Sequence, residues 1–255
     1  MSADLSFHHK PVGDFLDSSP VPSTPEGWAQ LALGEAELRE FEEKGYLANV
    51  QILSSEQVEA LLAELEQIRT GEHPGHHHFH EFHSNESPDP SLVLMHCLGA
   101  WRIMPDFSYW TRTGPMSHLT VHIALDDQTE ENGCLQYVPG SHKWPLLPIT
   151  SRHFDDMDSI RSALEPEHLA QFKPQAILLK KGQAAIHHPL LVHGSYANQS
   201  DQPRRATVVN VFADGTASLS EEPLLRDVPV IPPGQPLTGQ FFPVLFDASI
   251  NEPDD

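Results

Sequence analysis

The chain has 255 residues, and its 15 Lys and Arg face 36 Asp and Glu, for a formal charge of −21 with histidine neutral. A field of that sign repels phosphate backbones and anionic lipid, which argues against nucleic-acid and membrane-surface partners. Hydrophobic content of 39% with 20% charged residues is that of an ordinary soluble globular protein, long enough for one domain around a large core.

Residues 1–34 contain Pro11, Pro20, Pro22 and Pro25 with Ser and Asp between them, a composition that predicts an N-terminal arm outside the core. Residues 35–255 are then expected to form a single domain. A short helix is predicted over Glu35–Lys44, ended by Gly45, followed by extended chain over Tyr46–Ile52. Ser54 with Gln57 forms a capping box in front of a second helix. The apolar residues Val58, Leu61, Leu62, Leu65 and Ile68 of that helix follow helical spacing up to Gly71. From residue 71 to 91 the chain is irregular and rich in His and Pro. Its cluster His73, His76, His77, His78, His80 and His83 reads as a mobile polar loop before it reads as a metal site.

Beyond that loop the period changes to two. Leu92–Cys97 is a candidate strand. Leu119, Val121, Ile123 and Leu125 alternate with His118, Thr120, His122 and Ala124, which puts the two sets on opposite faces of a strand. Asn132-Gly133 is a strong turn signal, with Cys134–Val138 expected as the returning strand. Short strands follow at Ala176–Leu179, Gln183–His187, Leu190–His193 and Arg205–Phe212, and the insert Phe154–Gln171 looks helical. Many short strands after two helices argue for a mainly β (α+β) fold, a sandwich or jelly roll with helical cover. Cys97 and Cys134 form no CxxC pair and no zinc pattern. No run of about 18 apolar residues occurs, and the first residues lack an apolar signal segment. The expected setting is cytoplasmic.

The chemistry concentrates near residue 193. A histidine in His193-Gly194-Ser195 closes one strand, a polar turn with Asn198 and Ser200 reverses the chain, and Arg204-Arg205 opens the next. In an antiparallel pair, imidazole and guanidinium would share one mouth of a barrel. That suits a metal on the imidazole and a dianionic co-substrate held by an arginine fork. A strand-end histidine beside a surface arginine is the plainer alternative. Three neighbouring features bear on the choice: Asp106-Phe107-Ser108-Tyr109-Trp110; Ile123-Ala124-Leu125-Asp126-Asp127 with Asn132-Gly133 and Pro139-Gly140-Ser141-His142; and the Gly182 turn with the strand reaching His193. In this order they closely resemble the phytanoyl-CoA dioxygenase family, over roughly residues 36–215.

The resemblance implies a double-stranded β-helix (jelly-roll, cupin-like) core with N-terminal helices packed outside. It implies Fe(II) held by a facial triad of two histidines and one carboxylate, with positions open for 2-oxoglutarate and O2. The distal histidine would be His193 and the carboxylate Asp106. Arg204 would grip 2-oxoglutarate, with Arg205 as the fallback; Ser195 and His122 would line the same pocket. The activity implied is hydroxylation of a small, largely apolar molecule, with succinate and CO2 as by-products.

One part of the pattern is missing. The family's first histidine stands two residues before the aspartate, and here that place is held by Met104. Only four residues separate Trp101 from Asp106, where the family has a longer stretch. A thioether is a poor ligand for Fe(II), so a catalytically impaired or shortened member serving as a binding or regulatory protein is the alternative. His118 or His122 could stand in, although lining the pocket is the preferred role for His122. His187-His188 read as structural, with one able to face the interior, and His142 as a turn-fixing hydrogen bonder. A cupin-like isomerase would explain the strands but not Arg204.

Overall fold

The computed structural model describes residues 24–69, 79, 81–83, 85, 93, 95–98, 118–145, 147, 156–218, 221, 229–239 and 242. Two compact units emerge. One combines residues 31–58 and 118–210; the other combines residues 1–30, 59–117 and 211–255.

The first unit begins with helix α2 (Glu35–Lys44), which follows a short α1 (Pro25–Leu31) inside the stretch expected as an arm. Gly45 ends α2 as expected: it adopts φ 84°, and its N–H reaches Phe41 O at 2.7 Å. That left-handed residue turns the chain straight into β1 (Tyr46–Gln51). The capping box also forms, with Ser54 N–H to Gln57 Oε1 at 2.8 Å and Gln57 N–H to Ser54 Oγ at 3.2 Å. Helix α3 (Ser55–Arg69) follows, its residues from 59 onward belonging to the other unit, with Val58, Leu61 and Ile68 fully buried.

Strands β4 (Leu119–Ala124), β5 (Leu135–Tyr137), β6 (Gln175–Ala176), β7 (Gln183–His187), β8 (His193–Ser195) and β9 (Ala206–Val211) form two sheets. Their orders are β1-β7-β4-β9 and β6-β5-β8. Strand β7 runs antiparallel to β1 and β4, and β5 antiparallel to β6 and β8. The insert expected to be helical carries a 3-10 helix (Met157–Ala163) and α4 (Pro166–Gln171).

Three expectations need correction. Residues 134–138 do return through a turn at Asn132-Gly133, but β5 joins the other sheet instead of pairing with β4. The turn is a crossover, held by Thr129 N–H on Asn132 Oδ1 at 2.8 Å and by the Asn132 amide on Asp127 O at 2.8 Å. Second, His193 opens strand β8 and does not close one. The chain before it is a turn, in which Leu191 N–H reaches back to His188 O at 3.0 Å. Third, β8 and β9 are not an antiparallel pair, because they too belong to different sheets.

The crossovers lay one sheet on the other. Tyr46, Ala124 and Ala185 from the four-stranded sheet meet Tyr137, Ile177, Leu179 and Leu191 in one buried cluster. A second cluster, Val138, Met157, Leu164 and Phe172, roots the insert against the three-stranded sheet. Both faces near the end of β4 are buried, which is why its alternation does not sort cleanly into core and solvent.

The other unit contains the antiparallel pair β2 (Glu81–His83) and β3 (His96–Leu98), with the rings of Phe79 and Phe82 5.4 Å apart. The strand expected over Leu92–Cys97 is realised at His96–Leu98, and residue 92 lies outside the described residues. Ala217 bridges Pro236, and Phe212 and Phe242 stand 6.0 Å apart.

Candidate active site

The site is assembled between the two sheets of the first unit. Strand β4 contributes His122, β7 contributes His187, β8 contributes His193 and Ser195, and the turn before β9 contributes Arg204. On β8 the period of two puts His193 and Ser195 on one face. Gly194 between them has no side chain because Met157 fills the space: a Cβ there would lie 2.9 Å from Met157 Sδ.

His193 is exposed at the mouth, and its Nδ1 lies 2.7 Å from Leu191 O. A carbonyl oxygen only accepts, so Nδ1 carries a proton and Nε2 is the nitrogen that can present a lone pair to a metal. This is the arrangement that orients a metal-binding histidine. His187 lies deeper, 3% exposed, with Nδ1 2.8 Å from Tyr137 OH. Its ring centroid is 4.6 Å from that of His193. Burial and the neighbouring histidines, His193 first, push its pKa down to about 3. His122 is buried, with Nε2 3.0 Å from the Gln128 amide nitrogen and 3.2 Å from its oxygen. Burial, followed by the positive charge of Arg204, pushes His122 down to about 4. The interior of the site is therefore lined by neutral imidazoles.

The two adjacent arginines have separate environments. Arg205 is engaged by Asp126, through Nη2 to Oδ1 at 2.6 Å and Nε to Oδ2 at 2.8 Å, and its backbone N–H reaches Oδ2 at 2.8 Å. Arg204 makes no hydrogen bond or ion pair with any described residue. Burial draws its pKa below the ordinary guanidinium value. A guanidinium enclosed without a carboxylate is costly unless an anion completes it. Arg205, the fallback grip for 2-oxoglutarate, is thus occupied as a structural latch, and Arg204 is the group left to receive a dianion.

The recognisable turn motifs mostly build the frame. Asp127 accepts from Lys180 Nζ at 2.8 Å and from Lys181 N–H at 2.9 Å. In Pro139-Gly140-Ser141-His142, Ser141 Oγ donates to Val138 O at 2.7 Å and accepts from Val192 N–H at 2.9 Å. His142 Nε2 lies 3.2 Å from Glu42 O, which ties the turn to α2. Ser195 is buried at 2% exposure opposite Leu135.

Of the expected site residues, the structure brings His122, His193, Ser195 and Arg204 into one region. Asp106 lies outside the described residues, as do Met104 and all of the histidine-rich loop's histidines except His83. His187 was expected to be structural, yet it lies against His193; its place on a strand paired with β4 was the available signal. Among the described residues, no group of three His, Cys, Asp or Glu side chains is placed to hold a metal ion. What the described residues do offer is imidazole nitrogen beside an unpaired guanidinium, donor chemistry that fits a borderline divalent ion with an anionic chelator.

Residues 100–206 match the family model of phytanoyl-CoA dioxygenase (PhyH). A phytanoyl-CoA dioxygenase domain-containing protein 1 homolog of Caenorhabditis elegans is 35% identical over 127 residues, which make up 47% of this chain and 43% of that protein. The chain thus spans less than half the length of this relative. Among solved structures, the non-heme alpha ketoglutarate dependent carbocyclase SnoK from nogalamycin biosynthesis shares the fold. Its TM-score is 0.59 at 20% identity, covering 87% of this chain and 98% of that one. The epimerase SnoN, solved in complex with Fe3+, alpha ketoglutarate and nogalamycin RO, gives a TM-score of 0.58 at 20% identity over 83% and 98% of the two chains.

Proposed function

We propose, from the match of residues 100–206 to the phytanoyl-CoA dioxygenase (PhyH) family model, that this protein is an Fe(II)- and 2-oxoglutarate-dependent dioxygenase. Its two sheets are read as the jelly-roll, or double-stranded β-helix, of that family. The observation that carries the proposal is Arg204, half-buried near His122 and without a partner among the described residues, while Arg205 next to it is engaged by Asp126.

In this reading His193 presents Nε2 to the metal, with Asp106 as the carboxylate ligand. Bound iron would supply the oxidising chemistry that couples decarboxylation of 2-oxoglutarate to hydroxylation of a substrate carbon. The protein's own residues do the rest. Arg204 would fork onto the far carboxylate of 2-oxoglutarate and set its direction. His122, held by Gln128, would wall the co-substrate without adding charge, and Ser195 would offer a hydroxyl on the same face as His193. The Leu191 carbonyl keeps the His193 proton on Nδ1, away from the metal side. A small, largely apolar substrate and a cytoplasmic setting belong to the proposal; among the described residues no helix is long and apolar enough to cross a membrane.

A second reading, a binding or regulatory protein without turnover, draws on Met104 where the family has histidine. One experiment separates the two. Succinate formation from 2-oxoglutarate with added Fe(II) and O2 is expected, and His193→Ala should abolish it. Folded wild-type protein that forms no succinate under these conditions would decide for the second reading.

A further inference from the structure

The position two residues before Asp106 holds a thioether, so if the site binds a metal its second imidazole must come from elsewhere. His187 meets the geometric requirements. Its ring centroid lies 4.6 Å from that of His193, with the planes inclined at 52°. Two imidazoles bound to one ion at a right angle, each through a nitrogen about 2.1 Å from it, place their centroids roughly 4.6 Å apart. In both rings Nδ1 is committed to a protein oxygen, His193 to Leu191 O at 2.7 Å and His187 to Tyr137 OH at 2.8 Å. Neither Nε2 makes a hydrogen bond with a described residue. An outer hydrogen bond on one nitrogen with the other left open is the usual arrangement of a metal-ligating histidine.

The two strands that carry these rings reinforce the point. Strand β7 lies in the four-stranded sheet and β8 in the three-stranded sheet, so the rings approach from opposite walls. Tyr137 sits beside the pair, its ring 5.0 Å from that of His187 and 6.2 Å from that of His193. Tyr137 itself is fully buried and packed edge-on against Tyr46, with ring centroids 5.0 Å apart. His187 is thus oriented from behind by a residue that cannot move easily. Among the described residues, the neighbouring histidines are engaged elsewhere: His122 is bound to Gln128, and His188 lies against His142 with centroids 5.3 Å apart.

We propose that His187 and His193 form a two-nitrogen clamp for one divalent first-row metal ion, with His187 taking the role of the histidine that Met104 replaces. The inference rests on the dioxygenase reading. Beyond it, the clamp assigns a ligand to a strand interior that would otherwise read as core.

The test is anaerobic Co(II) titration of the full chain in the presence of 2-oxoglutarate, followed by calorimetry and by the visible absorption of the bound ion. Wild type is expected to bind one Co(II). His193→Gln and His187→Gln should each weaken binding by about 100-fold or more and alter the absorption, because a nitrogen ligand is lost. Tyr137→Phe keeps the imidazole but removes its orienting bond, and should weaken binding by roughly 10-fold with the absorption retained. If His187→Gln fails to fold, Tyr137→Phe decides, and unchanged affinity there overturns the clamp. Wild-type affinity in folded His187→Gln, with binding lost in His193→Gln, would overturn the clamp and leave the dioxygenase reading standing. No Co(II) uptake by wild type would overturn both.

Discussion

The turn after β4 and the space between the sheets handle polar groups in opposite ways. In the turn, Asp126 meets Arg205, Asp127 meets Lys180 and the Lys181 N–H, and Asn132 bonds Thr129, Asp127 and Pro203. Between the sheets, Arg204 has no described partner, and His122 and His187 are held far below their ordinary pKa by burial. Paired charges in the turn are explained by architecture. A guanidinium left without a carboxylate is a cost that architecture does not explain, and it marks where a ligand belongs.

The comparison breaks most visibly with pH. A buried histidine whose folded pKa lies near 4, as for His122, binds protons later than the unfolded chain does. As pH falls from about 6.5 toward 4 the unfolded state takes up the proton first, so stability falls; above that window the penalty is absent. The expected loss from His122 is roughly 3 kcal/mol. Denaturant melts at pH 7.5 and pH 4.5 measure it, and His122→Gln should reduce the difference while leaving the share that His187 contributes. An unchanged pH slope in that variant would show that His122 is not the neutral buried group described here.

Next in size is Asp126→Ala. It removes two charged side-chain bonds and one backbone bond from the head of β9, for an expected loss of about 2–3 kcal/mol in urea unfolding. The partial exposure of Arg205 keeps the figure from being larger. Asn132→Ala opens the crossover turn and should cost about 1–2 kcal/mol by the same measurement. The smallest effect is expected from His142→Ala, at about 1 kcal/mol or less. It loses the bond to Glu42 O, but it also removes a buried Nδ1 that has no partner.

Much of this division was legible in the sequence. Gly45, the Ser54–Gln57 box and the strand Gln183–His187 stand where local chemistry puts them, because caps and turns are decided by neighbouring residues. Strand partners were not legible. Asn132-Gly133 is a hairpin signal in isolation, but whether the next strand returns to the same sheet depends on contacts far along the chain, here the pairing of β5 with β6 and β8. For the same reason the sequence could name both Arg204 and Arg205 without saying which was engaged by Asp126. His187 reads first as structural, with one of His187 and His188 able to face the interior, because a histidine beside Pro189 resembles a strand-end residue; its approach to His193 arises only when the two sheets close. Asp106 lies outside the described residues, so its proposed role rests on the resemblance.

The central claim is tested most directly by 2-oxoglutarate binding under anaerobic Fe(II), compared between Arg204→Gln and Arg205→Gln. The account predicts that Arg204→Gln weakens binding several hundred-fold, roughly 3–4 kcal/mol, with no loss of folding stability. Arg205→Gln should instead keep its affinity and unfold more readily. Full affinity in Arg204→Gln, or its loss in a folded Arg205→Gln, would contradict the account.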